Sequence, residues 1–381
     1  VFPFVKERDY FPILNEQVML SSCSQSALSR QVEEAIHSYI DTLRYTGMDW
    51  MRWMAEVGGA KAQFAKLINA EPEEIAVMSC VSECASSVAS ALDFTGKRHH
   101  IVTTEMDFPS VGHVWLAQKK RGAQVKFIPT QDSVIPLEYY EQSVDEQTLI
   151  TSIPHVSYYN GFKQDLKKVA AIVHEKGSYL FVDAYQSAGS VAIDVKAMDV
   201  DFLAAGTQKY LLGIPGIAFL YVKKEVAEKL EPAVTGWFGR KDPFSFDIQC
   251  LDYADGARRF ETGTPPMING YAANAALRLI NEVGVDRIEA YLSTLSEAAV
   301  SYAGEKGFTV VSPKERSQKA SNTAIYIPQA SKAEALLKEK GIIVSARNDV
   351  IRIAPHFYNT EAEVKMAIDA LAQIAPGLQG D

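Results

Sequence analysis

Along residues 60 to 225, short apolar runs alternate with stretches in which apolar residues recur every three or four positions. The runs, bounded by turn-forming residues, predict buried strands, and the helical period between them predicts helices covering a mainly parallel sheet. The strands read this way are Ile75–Met78, His100–Thr103, Gln124–Ile128, Thr148–Ser152, Tyr179–Val182, Phe202–Ala204 and Ile217–Val222. Between the fourth and fifth, Lys163–His174 sets Leu166, Val169, Ala170 and Val173 at helical spacing, and Lys176–Gly177 stops the helix. After Gly236 the pattern breaks into a stretch rich in Gly, Pro and aromatics that runs to Pro266. A helix from about Asn269 to Val283, followed by strands and two further helices, predicts a smaller C-terminal unit. The expected division is a large domain over residues 15–260 and a small α+β domain over 261–381, joined by residues 1–14.

Composition narrows the functional classes. A net charge of −9, with no basic cluster beyond pairs such as Lys119–Lys120 and Arg258–Arg259, argues against a nucleic-acid partner. No uncharged apolar run approaches the ~20 residues of a membrane span. Val1–Tyr10 mixes charges with aromatics and does not read as a secretory signal. Cys23, Cys80, Cys84 and Cys250 have neither zinc-like nor redox spacing, so no metal site is expected. Reduced thiols in a cytoplasmic protein are the simplest reading.

The segment Tyr179-Leu-Phe-Val-Asp183-Ala-Tyr-Gln186 closes an apolar strand with an acid, placing Asp183 at the carboxyl edge of the sheet, where open α/β folds bind ligands. Ala205-Gly-Thr-Gln208-Lys209 lies between an apolar run and the turn Gly213-Ile-Pro-Gly216, so Lys209 returns to the same edge from a neighbouring strand. Pyridoxal-phosphate (PLP) chemistry needs this pair. The lysine forms a Schiff base with the cofactor, and the carboxylate keeps the pyridine nitrogen protonated so that the ring accepts electrons. Gln186 is placed to hydrogen-bond the ring's phenolic oxygen, and the lysine amine, once displaced, to move protons at the substrate α-carbon.

This Asp-x-x-Gln then Lys arrangement, with the glycine turn, resembles the class V aminotransferase family, and the likeness extends from about Leu20 to Ile374. It implies the type I PLP fold, with a mainly parallel seven-stranded sheet sandwiched by helices. It also implies a homodimer with shared active sites. Under that likeness Val81 and Ser82, in Met78-Ser-Cys-Val-Ser-Glu-Cys84, occupy the phosphate loop, and Phe108, before Pro109, is the ring that stacks on the cofactor. Gln208 is counted among the cofactor-binding residues. Trp237, in Gly236-Trp-Phe-Gly239, resembles the kynureninase residue near the phosphate, but Arg240 stands where that branch has His. Thr264, in the Gly-Thr-Pro segment, is implied to reach the phosphate of the partner's cofactor. Arg352, in Val350-Ile-Arg-Ile-Ala-Pro355, is implied to clamp the substrate α-carboxylate, a bidentate task suited to guanidinium. Ile342–Ile351 lacks the nucleophilic cysteine that desulfurases carry ahead of this arginine.

Other residues have two readings. Tyr158 and Tyr159 follow a strand and are placed to line the substrate mouth. Arg347 is a second candidate for the carboxylate. His113, His155 and His356 read mainly as structural, and Cys23 as a buried inert thiol beside the site entrance. The expectation is an enzyme acting at Cα of an amino acid by transamination or β-elimination, both through one carbanion. The alternatives are desulfurase-like or epimerase activity, or a non-catalytic binding protein of the same fold.

Overall fold

A computed structural model of the chain describes residues 2–378. The seven strands form at Ile75–Met78 (β1), His100–Thr104 (β2), Gln124–Ile128 (β3), Thr148–Pro154 (β4), Tyr179–Asp183 (β5), Phe202–Gly206 (β6) and Ala218–Val222 (β7). They build one sheet in the order β1-β7-β6-β5-β4-β2-β3. From β6 to β3 every neighbouring pair is parallel, whereas β7 runs against both β6 and β1. The sheet is thus mainly parallel, with one reversed strand. Side chains of β1, β2, β6 and β7 are buried throughout, as expected for strands covered on both faces, while the edge strand β3 exposes Gln124 and Phe127.

Several strands outrun their apolar stretch at the carboxyl end. The ladder continues through Pro154 opposite Asp183, Asp183 opposite Ala204 and Gly206 opposite Ala218. Backbone pairing with a neighbour, rather than hydropathy, sets where these strands stop. That extension carries Asp183 into the last rung of β5, so its side-chain direction is fixed by the sheet.

Helices Trp50–Leu67 (α1), Val81–Ala91 (α2) and Leu166–Glu175 (α3) pack on the large sheet, and α2 opens at the site. The third begins at Leu166 rather than Lys163, because Asp165 caps it by accepting a hydrogen bond from Lys168 N at 3.2 Å. Helix Met267–Val283 (α4) packs on α1. Three helices follow where the pattern suggested two: Val285–Glu305 (α5), Ala330–Glu339 (α6) and Glu361–Ile374 (α7). Only Gly284, at φ +90°, separates α4 from α5, a left-handed turn that a glycine adopts without strain.

A second sheet, of Thr323–Tyr326 (β8), Ser345–Arg347 (β9) and Val350–Ile353 (β10), is antiparallel in the order β9-β10-β8. It packs with α5, α6 and α7 around Ile325, Leu337, Ile351, Ile353, Val364 and Leu371, a core separate from that of the large sheet. The N-terminal segment joins this unit. Val18–Met19 pairs in parallel with Ile342–Ile343, and Arg8 grips Glu363 with nitrogens at 2.7 and 3.1 Å.

Candidate active site

The end of β5, the segments that follow β2, β4 and β6, the start of α2, the β9–β10 hairpin and the Cys23–Ser24 segment meet at the carboxyl edge of the large sheet and enclose a cavity of about 380 Å³. The volume lies in the range of small-molecule and cofactor sites. The strand extension aims Asp183 into it, and the carboxylate is held by Tyr185 N–H at 2.9 Å. Lys209 follows β6 in a tight loop closed by Gly213 N–H on Thr207 O at 2.8 Å and by Thr207 Oγ1 on Ile214 O at 2.7 Å. The preceding residue, Gln208, is anchored through its carbonyl, which accepts from Ser26 N at 3.0 Å.

The lysine ammonium sits 4.1 Å from the Tyr185 ring centroid and 5.5 Å from that of Phe108, so two aromatic faces stabilise its charge. Tyr185 donates through its hydroxyl to Gln208 Oε1 at 3.0 Å, and a Cβ at Gly206 would collide with its ring. Glycine at 206 is therefore what lets Tyr185 lie against the sheet edge.

Asp183 and Lys209 share the cavity without forming an ion pair, among the described residues. Burial raises the Asp183 carboxyl above its usual value, offset in part by the Tyr185 N–H and the charge of Lys209. Desolvation lowers the Lys209 amine to about 8, against the pull of Asp183 and with a further push from Arg352 and Arg347.

Arg352 is 1% exposed, on the central strand of the small sheet, rather than a solvated edge charge. Its guanidinium donates to Tyr158 O at 2.8 Å, Ser24 Oγ at 3.0 Å, Ser345 Oγ at 2.6 Å and Ser345 O at 3.4 Å. Every one of these acceptors is neutral. Helix α2 opens with no side-chain cap at Cys80, and its first intrahelical bond is donated by Cys84 N to Cys80 O. The N–H groups of Val81, Ser82 and Glu83 thus have no partner within the helix, an anion-binding arrangement.

Of the residues singled out in the sequence, Val81, Ser82, Phe108, Tyr158, Asp183, Gln186, Gln208, Lys209, Arg347, Arg352 and Cys23 line the cavity. Trp237 and Thr264 do not. Thr264 is exposed, and Trp237 packs among Trp50, Phe238, Phe244 and Phe246 beside a separate apolar cleft of about 570 Å³. Tyr159 points away and donates to Asp349 Oδ1 at 2.7 Å. His155 and His356 are buried outside the cavity, with burial pushing them down to about 3 and about 4, and His113 is exposed. Sequence reasoning gave no role to Tyr185, Ser24 or Ser345. Tyr185 lies between Asp183 and Gln186 in the sequence, but only the fold turns its ring toward Lys209.

A lysine and a buried acid facing one cavity at the carboxyl edge of this sheet define a PLP-dependent enzyme of fold type I. The family model described as Aminotransferase class-V matches residues 21–369. The chain is 49% identical over 365 residues to an uncharacterized aminotransferase, YcbU, of Bacillus subtilis (strain 168), which covers 96% of each chain. It is 26% identical over 398 residues to the kynureninase of Deinococcus radiodurans, covering 99% of this chain and 95% of that one. Among solved structures, the apo cysteine desulfurase of Thermococcus onnurineus NA1 superposes with a TM-score of 0.88 at 25% identity, over 97% of this chain and 98% of the other. The chain belongs to the class V aminotransferase family, and its chemistry is PLP-dependent and centred on Cα of an amino acid.

The residues present fit that cofactor. Gln186 lines the cavity with its Oε1 buried and without a partner, its amide nitrogen having donated to Cys23 O at 2.9 Å. Asp183 is a buried acid awaiting a cationic partner, and the start of α2 offers unpaired N–H groups to a phosphate. No helix among the described residues is long and apolar enough to cross a membrane.

Proposed function

We propose that Lys209 attaches the cofactor and afterwards shuttles the proton at the substrate Cα. The observation that carries this is the placement of Lys209 and Asp183 on one cavity, facing each other without pairing, beside an arginine that meets only neutral acceptors. Asp183 would hold the ring nitrogen, Gln186 the phenolic oxygen, and Val81 and Ser82 the phosphate. Phe108 and Tyr185 would flank the ring, and Gln208 would hold Tyr185 in place through its hydroxyl. When bound there, PLP supplies a sink for the electron pair released at Cα.

Arg352 binds the α-carboxylate, with Tyr158 O, Ser24 and Ser345 fixing the guanidinium plane so that little ordering remains to be done on binding. This anchoring turns Cα toward Lys209, whose amine desolvation makes easier to deprotonate than an ordinary lysine's, which suits it to take the Cα proton. β9 is joined to the strand of Arg352 by the two-residue turn Asn348–Asp349. That turn leaves no loop for a nucleophilic cysteine ahead of Arg352, which favours transamination or β-elimination over a persulfide mechanism.

The active unit we propose is a homodimer in which Trp237 and Thr264 serve the partner's site. Supporting this, both lie outside their own chain's cavity, and the cleft beside Trp237 carries exposed Phe246 (71%) and Ile248 (97%), an apolar surface suited to burial against a second copy. The four free cysteines support a reducing compartment such as the cytoplasm.

The test is reduction of the PLP-loaded protein with borohydride followed by peptide mapping. The pyridoxyl label is expected on Lys209, and a label on any other lysine refutes the assignment. Keto acid formed only with an added acceptor indicates transamination, and ammonia released with pyruvate indicates elimination. A protein that holds PLP yet is spectrally inert to amino acids would be the non-catalytic alternative.

A further inference from the structure

We propose that Arg347 reads a second negative charge on the substrate, so that the preferred substrates are amino acids whose side chain ends in an anion. The inference rests on the reading of Lys209, Asp183 and Arg352 above and adds the substrate class. Arg347 and Arg352 come from one hairpin. Ser345 pairs with Arg352 and Arg347 with Val350, so all four side chains project from the same face, and the two arginines are diagonal neighbours. Both line the cavity.

Tyr158 stands between their tips. Its carbonyl accepts from Arg352 at 2.8 Å, and its ring lies 5.9 Å from the Arg347 guanidinium carbon. Arg352 is therefore already oriented by neutral acceptors, whereas the Nε of Arg347 is buried with no acceptor.

The charges of the cavity wall point the same way. Lys209, Arg347 and Arg352 face it, and Asp183 is the only acid among its lining residues. Asp183 is committed to the ring nitrogen, and the phosphate has the N–H groups of α2. Two guanidinium charges then remain for the substrate. An α-carboxylate satisfies Arg352 and leaves the half-buried Arg347 facing the cavity with its Nε buried and unpaired. A side-chain carboxylate or sulfonate matches that charge, and a neutral amide of the same shape does not, so the site discriminates by charge rather than by size.

The PLP-loaded enzyme is assayed with L-aspartate and L-asparagine, L-glutamate and L-glutamine, and L-alanine, following both the visible absorption and kcat/KM for product release. The wild type is expected to favour an acid over its amide by roughly 10- to 100-fold, the worth of a charge-assisted hydrogen bond. Arg347→Gln should bring that ratio close to one, and Arg347→Lys should restore part of it, which a merely structural role would not produce. Three results overturn the inference: amides and alanine used as well as the acids by the wild type, equal losses for acid and amide in Arg347→Gln, or lost PLP retention in that variant with the ratio intact. Failure of every amino acid to change the wild-type absorption would instead refute the Cα reading, and this inference with it.

Discussion

Replacing Lys209 with Met should make the cofactor-free protein more stable while abolishing its activity. In the folded chain the amine gives up its proton near pH 8, against 10.5 for an unperturbed lysine. A gap of that size corresponds to at most about 3 kcal/mol of penalty for holding the charged amine in the cavity, net of the attraction of Asp183. The sign follows from proton binding. Below pH 8 the amine is charged in both folded and unfolded chains, and the penalty is fully present. Between pH 8 and 10.5 the unfolded chain binds more protons, so the folded state gains stability as pH rises, and above 10.5 the penalty is gone. Met is unbranched and of similar length, so it fills the same space without the charge. With an unfolding entropy of about 0.8 kcal/mol/K for a chain of 381 residues, the variant should melt about 4 °C higher at pH 7 and about 1 °C higher at pH 10. Scanning calorimetry of both proteins, stripped of PLP, measures this directly. A variant that melts lower than wild type, or whose advantage is the same at both pH values, would refute the account of Lys209 as a desolvated, functionally retained charge.

Asp183→Asn keeps the shape and the Tyr185 N–H contact but removes the charge for the ring nitrogen, and should lower kcat on the order of 100-fold or more at unchanged fold, checked by steady-state kinetics and circular dichroism. Arg352→Lys loses the planar fork and should lower kcat/KM by roughly 30-fold or more, with the KM increase showing the lost carboxylate grip. Gly206→Ala drives a methyl into the Tyr185 ring and should cost about 1–3 kcal/mol in denaturant unfolding, with a parallel loss of activity because Lys209 leans on that ring. Phe246→Asp combined with Ile248→Asp should yield an inactive monomer in sedimentation velocity, and an active monomer would remove the shared-site dimer.

Much of this molecule is written locally along the chain. Hydrophobic periodicity located the seven strands of the large sheet, most plainly β1, β6 and β7, which are buried on both faces and nearly continuous in apolar residues, a signal that needs no knowledge of their neighbours. Asp183 and Lys209 stood out because each follows such a run at the edge where ligands bind. Strand ends, in contrast, were set by hydrogen-bonding partners, and the number of C-terminal helices was hidden by the direct passage from α4 to α5 through Gly284.

The chemistry of the cavity wall is likewise a product of convergence. Tyr185 matters because its ring lies against Lys209, and Ser24 and Ser345 matter because they orient a guanidinium that is distant from Ser24 in sequence. The unmatched charge of Arg347 follows from a strand register that puts it on the face of Arg352. Residue types and local period determined which segments would be strands and which charges would end them. Only tertiary structure decided which of those charges share a desolvated space, because electrostatics and hydrogen bonding act through distance and burial, which a linear order of residues does not contain.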